Sequence, residues 1–131
     1  MNTLSATLTA IAASDHLSCL SATVGEDTFH LLLAEPFDEP TGFPVILAFK
    51  ETEVILTKEP SPSTANRAMA MIRKIRRGEV LTEVTLEYGQ TSLAALVPTL
   101  TFDPLGLEEG MSVGWMVQPG EISLMRGNHG N

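Results

Sequence analysis

The chain has 131 residues, of which 44% are hydrophobic, so it is long enough for one compact domain or two very small ones. A unit of about 60 residues buries only about 60% of the surface of its unfolded chain, so two halves would have to share a core or lean on another subunit. The formal net charge of −8 argues against a general attraction to nucleic-acid phosphate or anionic lipid, and any bound anion must be held by local, directed donors.

The first predicted element covers residues 3–13, and two structures compete for it. Leu4, Leu8 and Ile11 would line one face of a helix. Threonine or serine also alternates with leucine or alanine through residues 3–10, which is the period of a half-buried strand. Because β-branched residues are poor helix formers, we predict a strand.

A hairpin is predicted in the middle of each half. In the second half, the alternation of polar and apolar residues through residues 83–88 stops at Gly89, and an apolar pattern resumes over residues 91–97. Glycine can supply the positive φ that a tight hairpin turn requires. Gly25 takes the same place in the first half.

A second hairpin is predicted at the end of each half. It would join residues 45–50 to residues 53–57, and residues 112–118 to residues 121–125. A brief helical turn is predicted near residues 103–107.

The chain is similar to itself at a nearly fixed offset, which indicates an internal repeat. The offset is 64 residues through the first part of each half and becomes 68 after a four-residue difference in length. Glycines stay in step as well as apolar residues, which favours duplication over chance agreement between strands. Matching positions include Asn2 with Asn66, Gly25 with Gly89, Leu33 with Val97, Gly42 with Gly110 and Val54 with Ile122.

These elements together predict an all-β protein made of two tandem five-stranded barrels of the oligonucleotide-binding (OB) type. The first barrel is predicted to span residues 1–58 and the second residues 66–126. Residues 59–65 contain two prolines and are predicted to form an extended connector. Residues 127–131 are predicted to form a frayed tail.

The residue types of catalytic and metal centres do not occur in the required patterns. Cys19 has no cysteine partner, which excludes an intrachain disulfide and favours a reducing compartment. His16, His30 and His129 lack the spacing of metal ligands, and no glycine-rich phosphate loop or Ser/His/Asp order occurs. There is no basic stretch before an apolar start and no apolar run long enough to span a membrane. We expect a cytoplasmic protein that is neither an enzyme nor a metalloprotein.

Basic residues cluster at one place only. In an OB-type barrel such a cluster could touch nucleic acid, but no aromatic residues interleave to stack bases. We therefore interpret the cluster as a solvated strand face, or as a patch that pairs with the acidic first half of a neighbouring subunit. It consists of Arg73, Lys74, Arg76 and Arg77.

Five short stretches carry a resemblance to a known family. In the second half they are Asn66, the Ile-Arg-Arg-Gly of residues 75–78, the Glu-Val-Thr-Leu of residues 83–86 and the Leu-Gly-Leu-Glu-Glu-Gly of residues 105–110, and the first half adds the Phe-Lys-Glu-Thr-Glu-Val of residues 49–54. In this order and spacing they resemble the molybdate- or tungstate-binding domain called TOBE or molbindin. Tandem copies of this length occur in stand-alone molbindins and as the effector half of molybdate-responsive transcription regulators.

The resemblance implies a site for a tetrahedral oxyanion between units or between subunits. In the family the anion is held by a Ser-x-Arg-Asn stretch at the first strand, by Thr or Ser residues before the Leu-Gly-Leu turn, and by a lysine that opens the last hairpin. A dianion that leaves water needs such converging donors, because an unpaired buried charge costs several kcal/mol. Carried onto this chain, the implied ligand-binding residues are Asn2, Lys50, Thr52, Ser63, Thr64, Asn66, Thr99, Thr101 and Gln118.

The chain departs from the family pattern at several of these places. Ala65 stands where the arginine is expected, Gln118 replaces the second lysine, and Pro98 replaces a frequent threonine. No Ser-x-Arg precedes Asn2.

The candidates also have local interpretations that need no ligand. Lys50 could form a surface ion pair with a neighbouring glutamate. The polar residues of the 63–66 stretch could make turn hydrogen bonds. Thr99 and Thr101 could cap the short turn that follows them.

The predicted function is binding of molybdate or tungstate for intracellular buffering, transport support or sensing. No helix-turn-helix segment occurs, so direct DNA regulation by this chain is not expected. The alternative is a ligand-free duplicated barrel that serves as an oligomerisation or partner-docking module, which Ala65 and Gln118 favour. In either case we expect a homo-oligomer, a dimer or a trimer, with acidic first halves near basic second halves.

Overall fold

The computed structural model describes residues 1–35, 37–58 and 66–126. These ranges contain two five-stranded sheets, one helical turn α1 (Thr99–Phe102) and three 3-10 turns, Glu51–Glu53, Asp103–Leu105 and Pro119–Glu121. The strands are β1 (Asn2–Ala13), β2 (Ser18–Val24), β3 (Asp27–Leu33), β4 (Pro44–Phe49), β5 (Ile55–Thr57), β6 (Arg67–Arg77), β7 (Leu81–Tyr88), β8 (Thr91–Pro98), β9 (Ser112–Met116) and β10 (Ser123–Arg126).

The first element is the strand that the sequence predicted. Asn2, Leu4, Ala6 and Leu8 are buried, and the residues between them are exposed. This period of two follows from the pleat of a strand, in which successive side chains point to opposite faces. The helix alternative for residues 3–13 is wrong.

The two predicted central hairpins are present. β2 pairs with β3 across Gly25, and β7 pairs with β8 across Gly89. Both glycines have a positive φ, 61° and 59°, a conformation that glycine adopts without the steric cost that other residues bear.

The predicted hairpins at the end of each half are wrong. In the structure β4 lies between β1 and β10, whereas β5 pairs with β9 of the other sheet. The 3-10 turn Glu51–Glu53 redirects the chain between β4 and β5, and Leu56 then points into the shared core. Burial against the opposite half therefore replaces the local pairing that the short spacing favoured.

The two sheets exchange their last strands. One sheet has the order β10-β4-β1-β2-β3 and the other has the order β5-β9-β6-β7-β8, with all neighbours antiparallel. Both sheets are curled, and the predicted all-β class with two five-stranded OB-type units is confirmed. The predicted limits of the units along the chain, residues 1–58 and 66–126, stay a prediction. The predicted connector, residues 59–65, and the predicted tail, residues 127–131, lie outside the described residues.

Matching features recur in the two sheets at the offsets read from the sequence. β1 has a bulge between Leu8 and Ala10, and β6 has one between Ile72 and Lys74. At each bulge a glycine with positive φ donates its N–H to the carbonyl of the strand residue that comes just before the bulge. These bonds join Gly42 N to Leu8 O (2.6 Å) and Gly110 N to Ile72 O (2.7 Å).

The helical turn predicted near residues 103–107 is present as the 3-10 turn Asp103–Leu105, and the described residues of the first half have no counterpart at the matching positions. In the second half it begins at Thr99 in α1 and continues through Asp103–Leu105 to Gly106, which has a left-handed φ of 63°. In the first half, residues 34–43 form no helix at the positions that the structure describes, which exclude residue 36. Two prolines in that segment disfavour helical backbone at the residues before them.

The two sheets share one core, as the small size of each unit requires. Trp115 of β9 stacks on Phe29 of β3 and Phe49 of β4, with ring centroids 5.6 and 5.8 Å apart, and meets Tyr88 of β7 edge-on at 5.2 Å. The Tyr88 hydroxyl also donates to Asp27 Oδ2 at 2.5 Å. Within the described ranges no helix is long and apolar enough to cross a membrane.

Candidate functional site

Two asparagines fasten the sheets to each other by the same pair of bonds. The Asn2 amide donates through Nδ2 to the Ala94 carbonyl and accepts from the Ala94 N–H, each at 2.8 Å. The Asn66 amide does the same with His30, at 2.9 and 2.8 Å. Both asparagine side chains are buried, and each keeps one N–H of Nδ2 that these bonds do not use.

Each asparagine lies beside one of the residues predicted at the hairpin mouth. Asn2 pairs with Phe49 across β1 and β4, which places Lys50 next to it. The Val117 N–H donates to the Asn66 carbonyl at 3.2 Å, which places Gln118 next to Asn66. The structure thus places Asn2 beside Lys50, which is a cation, and Asn66 beside Gln118, which is not.

Lys50 and Gln118 open equivalent 3-10 turns and are both exposed. The turn Glu51–Glu53 packs against β8, and the turn Pro119–Glu121 packs against β3. Thr52 is exposed on the first of these turns. Each site group therefore combines a turn that links the two sheets with the edge strand, β8 or β3, against which that turn packs.

Two carboxyl groups meet beside Lys50, one from each turn. The backbone N–H of Lys50 donates to Glu53 Oε1 at 2.7 Å, and this bond is the main cause of a lowered pKa for the Glu53 carboxyl. A hydrogen bond with Glu53 raises the pKa of Glu121, whereas the Lys50 ammonium acts in the opposite direction. The positive charge of Lys50 thus favours the ionised form of both carboxyls, one from each half, and acts to lower the pKa of each.

The N-terminus adds a further charge to this group. The amino group of Met1 forms an ion pair with Glu51. The hydrogen bond between them is the main cause of a lowered pKa for the Glu51 carboxyl.

The two threonines predicted before the Leu-Gly-Leu turn lie elsewhere. Thr99 is buried, its hydroxyl donates to the Gly78 carbonyl at 2.8 Å, and Thr82 Oγ1 lies 2.9 Å from it. Thr101 is exposed on α1. In the part of the chain that the structure describes, no hydrogen bond or ion pair joins either threonine to Lys50 or Gln118. The predicted candidates Ser63 and Thr64, with Ala65, lie outside the described residues.

Sequence reasoning missed three residues that take part in contacts between the halves. Glu53 and Glu121 match at the offset of 68, a signal that could have been read as two residues related by pseudosymmetry. Lys58 Nζ lies 4.0 Å from the point where a Cβ on Gly106 would be. No sequence signal pointed to this proximity, because it depends on β5 joining the sheet of the second half.

The architecture is that of a molbindin-type fold. No protein-family model matches the chain, and no curated protein sequence matches it. A solved structure of the cytoplasmic molybdate-binding protein ModG, with molybdate bound, is similar to it with a TM-score of 0.84. The two share 21% sequence identity, and the alignment covers 95% of this chain and 94% of ModG. At this identity the likeness establishes the fold.

Proposed function

We propose that this protein binds a small tetrahedral oxyanion of the molybdate or tungstate type and is a cytoplasmic binding protein without catalytic activity. The observation that carries the proposal is the likeness to molybdate-bound ModG over nearly the whole of both chains. Anion buffering, delivery and sensing are the roles open to such a protein.

The proposed site centres on Lys50, with Asn2 and Thr52 as its neighbours. A dianion loses its hydration on binding, and a charged donor offsets that loss better than a neutral one. The unused N–H of the Asn2 amide and the exposed Thr52 hydroxyl are proposed as uncharged donors. Ser63, Thr64 and Thr101 are proposed as further donors, either from this chain or from a second subunit.

A weaker site of the same construction is proposed around Asn66 and Gln118. Like Asn2, Asn66 keeps one amide N–H beside the residue that opens a 3-10 turn, but Gln118 brings no positive charge. The hydroxyl of Thr99 bonds the Gly78 carbonyl, so we assign Thr99 to holding α1 in place.

Calorimetric titration with molybdate and with tungstate tests the proposal. Lys50→Ala should weaken binding about ten- to a hundredfold, because loss of a charged hydrogen-bond donor costs about 1.5–3 kcal/mol. Arg76→Ala is the matched control, since Arg76 is an exposed cation that pairs with Glu83 of the neighbouring strand β7, and it should leave the affinity unchanged.

Two further variants should raise the affinity for the oxyanion, one at each proposed site. Gln118→Lys should strengthen binding at the second site. Glu121→Gln should strengthen binding to the Lys50 site near neutral pH, because it removes a negative charge that faces the anion. No heat from wild type or from Gln118→Lys with either oxyanion would contradict the proposal and favour a ligand-free interaction module.

We also propose a homo-oligomer, a dimer or a trimer, in which acidic first halves lie near basic second halves. The charge distribution supports it, since residues 1–57 carry eight carboxylates against Lys50 alone. Light scattering at micromolar concentration distinguishes this assembly from a monomer.

A further inference from the structure

A groove opens on the outer face of the second sheet, beside the bulge of β6. It has a volume of about 490 Å³ and is lined by Arg73, Lys74, Thr85, Ser92 and Glu109. Arg73 is the extra residue of the bulge, where the β6–β7 register shifts between Ile72 and Lys74. None of the lining residues belongs to the proposed oxyanion sites.

The two cations of the groove differ from the basic residues that follow them. Arg76 pairs with Glu83 at 3.5 Å, and Arg77 pairs with Asp103 at 2.6 Å. Within residues 1–35, 37–58 and 66–126, Arg73 and Lys74 take part in no salt bridge. Both are exposed, so their charges are available to a ligand.

The carboxylate of the groove is held by the backbone. Glu109 Oε2 accepts a hydrogen bond from the Ile75 N–H at 3.0 Å. This bond fixes Glu109 at the rim and leaves its second oxygen as an acceptor.

The first half of the chain provides an internal comparison. At the same offsets it has neutral residues, Thr9, Ala10, Ser21, Thr28 and Thr41. The bulge is nevertheless formed there, and the Thr9 hydroxyl donates to the Ser21 carbonyl at 3.1 Å. The bulge itself therefore does not require the arginine, the lysine or the glutamate.

We propose that this groove binds a small phosphomonoester that carries a free hydroxyl group. The Arg73 guanidinium can hold two phosphate oxygens at once, Lys74 adds a point charge, and the Thr85 and Ser92 hydroxyls add uncharged donors. The free oxygen of Glu109 accepts the ligand hydroxyl.

The dimensions and lining of the groove narrow the class of ligand. Its volume falls within the range of small-molecule sites, about 300–1,000 Å³, so there is room for an organic group beside the phosphate. No aromatic side chain lines it, so stacking of a nucleobase contributes nothing. A polyol phosphate fits this chemistry better than a nucleotide.

Titration of the isotopically labelled full chain with glycerol 3-phosphate, followed by amide NMR, tests the assignment. The amide signals of Lys74, Ile75, Thr85 and Ser92 should shift together along one binding curve, and glycerol should not shift them. The double variant Arg73→Gln with Lys74→Gln should weaken binding at least about tenfold, whereas Arg76→Gln should bind as wild type does.

Two control experiments distinguish binding in this groove from binding at the oxyanion site. Saturating molybdate should leave the glycerol 3-phosphate shifts in place, and Lys50→Ala should not alter them. Displacement by molybdate, unchanged affinity in the double variant, shifts spread over the molecule, or equal binding of inorganic phosphate would each overturn the assignment. If the protein does not bind molybdate at all, the expected shifts with glycerol 3-phosphate are unchanged, so this test is independent of the proposed oxyanion site.

Discussion

At the scale of single residues, two buried amides join the sheets. Asn2 and Asn66 each satisfy the N–H and the carbonyl of a residue in the opposite sheet. A side chain that satisfies two backbone groups at once is difficult to replace, because each group left without a partner costs about 1–3 kcal/mol when it is buried. These asparagines therefore stabilise the fold in addition to their place beside the proposed sites.

Replacement of the two amides is expected to destabilise the protein unequally. Asn2→Ala should lower the free energy of unfolding by about 2–6 kcal/mol, since it leaves two backbone groups of Ala94 without a partner. Asn66→Ala should lower it by about 1 kcal/mol more, because Asn66 has a φ of 69° and a left-handed backbone costs alanine about 1–2 kcal/mol. Urea unfolding measures both, with the exposed Ser5→Ala as the control. Equal losses for the two asparagines would contradict the backbone argument.

The pKa of Glu121 depends on a contact with Glu53, which lies in the other half of the chain. Glu53 alone would be an ordinary turn glutamate, four positions from the end of β4. The approach of Glu121 raises the pKa of one carboxyl in the pair. Repulsion between the two is greatest at high pH, so the contribution of Glu121 to stability is present below its ordinary pKa and is lost as the pH rises through its raised pKa.

At the scale of elements, turns and bulges set the direction of the strands. Gly25 and Gly89 fix the central hairpins through a positive φ, and the 3-10 turns Glu51–Glu53 and Pro119–Glu121 send β5 and β10 into the opposite sheets. The tight turns are local devices that a sequence can reveal. The exchange of β5 and β10 is not local, because their pairing partners lie in the other half.

Two glycines at which an added Cβ would meet no other atom allow the cost of a positive φ to be measured separately from steric clashes. Gly89→Ala should lower the free energy of unfolding by about 1–2 kcal/mol, because the left-handed φ of 59° is unfavourable for alanine. A Cβ at Gly89 would meet no atom within 4 Å, and the same is true at Gly120. Gly120 does not have a positive φ, so Gly120→Ala should be neutral or slightly stabilising. Similar losses at both positions in thermal unfolding would refute this account.

At the scale of the whole molecule, the two sheets form one packing unit. The aromatic group of Phe29, Phe49, Tyr88 and Trp115 draws two members from each sheet. Strand exchange means that neither half of the chain can complete its sheet without the other. The stability of one half is therefore tied to that of the other.

We expect the protein to unfold in a single cooperative transition. Trp115 is the only tryptophan, so its fluorescence reports on the shared core, and far-ultraviolet circular dichroism reports on both sheets. The two urea transitions should coincide. Tyr88→Phe should shift both together to lower urea, because it removes a hydrogen bond to the Asp27 carboxylate, worth about 1.5–3 kcal/mol. Two separable transitions would show that the halves fold independently.

The class of structure and much of its local geometry could be predicted from the residues alone. Alternation of threonine or serine with leucine or alanine predicted β1, and glycines in step between the halves predicted the turns at Gly25 and Gly89. These features depend on the near neighbours of each residue, so a linear reading is sufficient. The resemblance to molbindins predicted the fold that the likeness to ModG then supported, and it pointed to Lys50.

Which half completes each sheet, and what surrounds the candidate residues, depends on contacts between residues that are distant in the chain. The short spacing between β4 and β5 favoured a hairpin, but burial of Leu56 in the opposite half outweighs it. That exchange carries the turn of Lys50 against β8. Thr99 bonds Gly78 within the second half, and no described bond joins it to Lys50. These contacts join residues far apart in the chain, and their free energy comes from burial and hydrogen bonding that no local pattern encodes.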